Sequence, residues 1–83
     1  MSLTNLDPIE GNVSGTITVN FNSIVHKVMI TNDSLSNELQ FKIHGSEDFS
    51  TLKPAETISM EIHTASLILK SVVGADYRIL GFR

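Results

Sequence analysis

Three histidines, His26, His44 and His63, are the side chains of this 83-residue chain best suited to hold a metal ion or carry a proton. His44 and His63 fall on the polar faces of two candidate strands, and His63 shares its face with Glu61. If those strands pair, imidazole nitrogens could approach one ion at about 2.0–2.1 Å. No metal-ligand spacing links them and the chain has no Cys. The plainer reading is two surface histidines, with His26 half-buried beside Val28. In a symmetric oligomer, one His from each subunit could still meet on an axis.

Other chemistry finds less support. The chain has no Gly-x-Ser-x-Gly elbow, phosphate-binding Gly-Lys-Ser/Thr loop, dinucleotide-binding Gly-x-Gly-x-x-Gly or His-Glu-x-x-His pair. The sequence therefore predicts no catalytic residue, no cofactor and no metal site, and a protein that is not an enzyme. Glu47-Asp48 lacks the ligand order of a calcium loop and reads as a solvated acidic turn. The glycosylation-type triplets Asn12-Val13-Ser14 and Asn32-Asp33-Ser34 are expected by chance in a chain with 10 Ser and 6 Asn. Phe21, Phe41, Phe49, Tyr77 and Phe82 could stack on a sugar or base, but strand parity assigns at least four of them to the core.

The elements that must position these groups are strands. Ile, Val and Thr total 22 residues and Ala only 3, a balance that suits a pleated surface and weakens helices. Ile17, Val19 and Phe21 alternate with Thr16, Thr18 and Asn20. Ile24 to Thr31 is apolar on both faces, with Ile24, His26, Val28 and Ile30 on one side, and reads as a central strand. Leu39-Phe41-Ile43, Phe49–Leu52, Ile58-Met60-Ile62, Ala65–Ser71 and Tyr77–Phe82 follow, separated by turns at Asn32-Asp33-Ser34, Gly45–Asp48, Lys53–Glu56 and Val72–Ala75. The predicted fold is all-β: a compact antiparallel β-sandwich or barrel-like sandwich of six to seven short strands, with an extended N-terminal arm. Residues 1–14 form the arm and 15–83 a single domain.

The net charge of −3 argues against a nucleic-acid module, and no apolar run approaches the roughly 18–20 residues that span a bilayer. Charged residues make up only 18% of the chain, against about 25% in ordinary soluble domains, which suits a surface that is partly covered. Lys27, Lys42 and Lys70 are placed to guard sheet edges, whereas Val13 to Phe21 carries no charge at all. This stretch should be covered by a partner or by the chain's own arm.

Ile30-Thr31-Asn32-Asp33-Ser34, Leu39-x-Phe41, Leu52-Lys53-Pro54-x-Glu56, Leu69-Lys70-Ser71 and Tyr77-Arg78-Ile79-Leu80-Gly81-Phe82 form a series over residues 24–83. It resembles small all-β structural proteins of tailed-bacteriophage virions. Ala55 departs from that pattern, which has Gly there, and suggests a type I turn in place of type II. The resemblance implies a non-enzymatic decoration, head-to-tail or tail-associated protein. It would be made in the bacterial cytoplasm, sited in the virion, and bound to other virion proteins and to copies of itself, with a trimer favoured. Leu3, Leu6 and Ile9 on the arm, with Ile17 and Val19 on the charge-free strand, are the expected protein-interaction residues. Deleting residues 2–14 should then weaken assembly and leave the fold intact. The alternative is a carbohydrate- or receptor-binding module of a phage fibre or tail; a small metal-dependent enzyme ranks third.

Overall fold

A computed structural model describes residues 6–43 and 45–83. They form six antiparallel strands: β1 (Leu6–Val25), β2 (Lys27–Asn32), β3 (Leu39–Ile43), β4 (Ser50–Leu52), β5 (Thr57–Met60) and β6 (Thr64–Phe82). The order is β4-β3-β6-β2-β5, with β1 on the other side of β6. The sheet curls into a half-barrel sandwich around one apolar core. The all-β expectation is met, but two strands are long, of 20 and 19 residues.

These two strands build the molecule. β1 pairs with β6 from Leu6↔Phe82 to Val25↔Thr64. On its far side, β6 pairs with β3 through its first half (Leu67–Lys70) and with β2 through its second half (Tyr77–Phe82). The switch comes at a bulge, where Ser14 alone separates Val13↔Ala75 from Gly15↔Ser71 while Val72, Val73 and Gly74 stand opposite it. Gly15 and Gly74 have φ of 95° and 105° there, backbone that side-chain-bearing residues adopt only under strain. The expected turn at Val72–Ala75 is thus a bulge inside one strand, and Val72 and Val73 point into solvent.

The described part of the predicted arm is a sheet strand. Ile9 packs against the core and Val13 is fully buried, so deleting residues 2–14 would strip one side of β6 instead of sparing the fold. The run Ile24–Thr31 is also interrupted. His26 forms a bend between β1 and β2, donating its backbone N–H to the Phe82 carbonyl at 2.7 Å. The bend changes the parity: Val25, Val28 and Ile30 face inward, whereas Ile24 and His26 face out.

Leu67, Leu69, Ala75, Tyr77 and Ile79 of β6 lie at the centre of the core. Burying each large aliphatic side chain contributes roughly 1.5–3 kcal/mol. Gly81 admits no side chain, because a Cβ there would lie 2.8 Å from Val25 Cγ1 and from a Phe21 ring carbon.

The Lys53-Pro54-Ala55-Glu56 turn corrects the type I expectation. Ala55 has φ of 64°, the positive value that a type II turn requires at this position. Two bonds hold it there: Glu56 N–H to the Lys53 carbonyl at 3.1 Å, and Lys53 N–H to the Glu56 carboxylate at 3.0 Å. Ala55→Gly is expected to raise stability by about 0.5–1 kcal/mol, the strain relieved less the extra freedom of the unfolded chain. Urea denaturation would read this, and a loss of stability would refute the strain.

Candidate functional site

Among the described residues, no three His, Cys, Asp or Glu side chains converge. The described interior is packed by aliphatic and aromatic side chains together with the buried polar residues Asn32, Thr64 and Ser71. The candidate sites lie on the surface.

The first is an edge. Among the described residues, β1 bonds only to β6, so its other side presents N–H and C=O groups that no described strand pairs. β4 and β5 are edges too, but of three and four residues. The first half of β1 is blunted by Pro8, which has no N–H to donate, and by the bulge at Val13/Gly15. The second half has no such guard: Gly15 to Asn20 is in regular register, and no Asp, Glu, Lys or Arg occurs between Glu10 and Lys27. Thr16, Thr18 and Asn20 face solvent. Lys27, Lys42 and Lys70, expected to guard edges, are on β2, β3 and β6, none of them an edge strand. Lys42 and Lys70 place their ammonium groups 4.9 and 5.0 Å from the Phe49 ring centre, and Lys27 lies 5.4 Å from that of Phe82. Only Phe21, Phe41 and Tyr77 of the five aromatics are buried in the core. Phe49 and Phe82 are half-buried beneath lysines.

The predicted interaction residues separate. Leu3 lies outside the described residues, and Leu6 is opposite Phe82 in the ladder. Ile9 and Ile17 are half-buried against the core, and Val19 is in it at 5% exposure. Val19 offers a partner only its backbone; the exposed Thr16 and Thr18 beside it are what the edge presents.

The second site is a pair of rings. His26 and His63 meet edge to face with ring centres 4.4 Å apart at 83°. The sequence considered His63 with His44; the β1–β2 bend and the β5–β6 loop bring His63 to His26. His26 is exposed, not half-buried, and His44 lies outside the described residues. The third is an open groove of about 510 Å³ bordered by Asn37, Glu38, Gln40, Pro54, Val72 and Val73. Asn37 bonds the Gly74 carbonyl at 2.6 Å and Ser71 the Glu38 carbonyl at 2.9 Å, so its polar groups already brace the loop. Near the sheet end, Asp33 and Arg78 form an exposed ion pair at 2.6 Å that raises the Arg78 pKa.

No family model matches the sequence, and no curated protein does. Solved structures match the fold. A cupin-2 domain protein from Shewanella frigidimarina aligns over 100% of this chain and 76% of its own, with a TM-score of 0.64 and 11% identity. A cupin superfamily protein from Desulfitobacterium hafniense aligns over 99% and 71%, with a TM-score of 0.66 and 7% identity. A Vibrio parahaemolyticus protein of unknown function aligns over 87% and 71%, with a TM-score of 0.60 and 19% identity. The fold is cupin-like.

These matches overturn the resemblance to bacteriophage virion proteins. The virion structural role falls with it, as does the phage-fibre alternative. The physical reason lies in what the resembling residues do. Asn32 ties a loop to β4, Glu56 closes a turn, and Leu39, Phe41, Leu69 and Tyr77 fill the core. A series spent on turns and packing reports a β-sandwich, not its role.

Proposed function

We propose that this chain is a non-enzymatic interaction module that works as a homodimer, joined through the free edge of β1. The observation that supports this reading is the unguarded, charge-free Gly15–Asn20 edge. In an antiparallel pair centred on Thr18, Thr16 faces Asn20 of the second copy and Ile17 faces its Val19. No like charges oppose one another, and the two sheets run on as one. Such a contact is isologous and saturates at two copies, so a dimer replaces the trimer expected from the sequence.

Sedimentation equilibrium on the full chain tests this. A dimer is expected, and the Thr16→Lys/Thr18→Lys variant should be a monomer that unfolds with nearly the midpoint of dilute, monomeric wild type, since both side chains are exposed. Amide exchange at 16–20 should slow as protein concentration rises. A wild-type chain that stays monomeric at about millimolar concentration would refute the reading, and so would a lysine variant that still dimerises. Pairing with an unrelated extended peptide but not with itself would replace the second copy by another partner.

A further inference from the structure

We propose that His26 and His63 form a two-imidazole site for a borderline divalent transition-metal ion, of the class of Zn²⁺ or Ni²⁺, at the end of the sandwich where β1 turns into β2. The two residues are 37 positions apart in sequence, and tertiary structure alone brings them together. Each leads into or out of a fixed ladder position. His26 follows Val25, which pairs with Thr64, and His63 precedes Thr64. The bond from His26 N–H to the Phe82 carbonyl, 2.7 Å, pins the bend from which one ring projects. Thr64 Oγ bonds the Ser66 carbonyl at 2.8 Å and pins the start of β6 beside the other.

Two imidazoles on one tetrahedral ion, each with a metal–nitrogen bond of about 2.0–2.1 Å, have ring centres about 5 Å apart. Here they are 4.4 Å apart and edge to face, so chelation requires the rings to separate slightly and turn a nitrogen of each towards a shared ion, and both residues are exposed at the surface. Imidazole selects Zn²⁺, Ni²⁺ and Cu²⁺ over the hard cations Mg²⁺ and Ca²⁺. With two protein ligands, water fills the remaining positions, making an open site. The site lies just beyond the end of the Gly15–Asn20 edge, past the Asn20↔Ser66 pair, and uses none of the residues of that edge, so its test does not depend on whether the chain dimerises.

Calorimetric titration of the tag-free full chain with Zn²⁺ and with Ni²⁺, with Mg²⁺ as the control, tests the site. One ion per chain is expected for Zn²⁺ and Ni²⁺ and none for Mg²⁺. Because the second imidazole binds intramolecularly, His26→Ala and His63→Ala should each weaken affinity by about 10²-fold, while His44→Ala leaves it unchanged. His26→Gln and His63→Gln, which keep a polar side chain at each position, should lose binding equally, and circular dichroism reports that each variant is folded. In the wild type, the imidazole NMR signals of His26 and His63 should shift together on metal addition. Unchanged affinity in either alanine variant, equal loss in His44→Ala, or no binding at about millimolar metal overturns the proposal.

Discussion

Asn32→Asp is expected to cost the fold about 3–5 kcal/mol at neutral pH. Asn32 ends β2 and is fully buried. Its amide donates to the Asn37 carbonyl at 2.8 Å and to the Leu52 carbonyl at 3.1 Å, and its side-chain oxygen accepts from Ser34 N–H at 3.0 Å. One side chain thus ties the β2–β3 loop to the end of β4. Aspartate has the same shape but sets an acceptor against two carbonyls and buries a charge. Both effects raise the variant carboxyl's pKa in the folded state above the unfolded value of about 3.9. A raised folded pKa means that the folded state binds the proton more tightly, so the variant is best tolerated below about pH 4 and loses stability as pH rises from there. Even protonated, it donates to only one of the two carbonyls. Thermal unfolding from about pH 3.5 to 7 reads this, at about 4–8 °C per kcal/mol for a domain of this size. Asn32→Ala provides the reference, being destabilised with no added pH dependence. A penalty that is flat across this range would show that water reaches the site.

Leu69→Ala should lose about 2–5 kcal/mol. Leu69 is fully buried on the central strand, opposite Ile17 of β1 and Phe41 of β3. Truncation removes contacts on both sides and leaves a cavity that the paired backbones cannot close. Small domains have only about 5–15 kcal/mol in total, so the variant should approach unfolding. Val72→Ala, three residues on, should change stability by less than about 0.5 kcal/mol, because Val72 is 84% exposed at the bulge. Chemical denaturation of both reads the contrast. Similar losses at 69 and 72 would mean that the bulge is packed in solution.

These two positions mark what was legible. Alternation placed Leu39, Phe41, Leu69 and Tyr77 in the core, and all four are there, at 7% exposure or less. Period two is a local property of a strand, so a sequence displays it without reference to the partner. Val72 and Val73 read as turn residues between two strands, and only the β1 pairing, 57 or more residues away, makes them a bulge inside one strand. Ala55 gave a wrong turn type because intrinsic preference disfavours its φ, while two hydrogen bonds from Lys53 and Glu56 enforce it. Gly81 carried no readable signal, since its need for a bare backbone comes from Phe21 and Val25 pressing on it.

The candidate sites divide in the same way. The charge-free stretch of β1 was visible in the sequence. That one of its sides pairs with β6 and the other is left as an edge was decided by the register of β6 along its whole length. The histidines were visible as side chains with ligand chemistry, but that His26 meets His63 was not. By itself, the sequence determined an all-β chain, its inward-facing residues and its turn sites, because alternation and turn chemistry act over a few residues. Tertiary structure decided that an arm is a strand, that two long strands replace several short ones, and which imidazoles touch. Those contacts join residues tens of positions apart, and no local pattern records them.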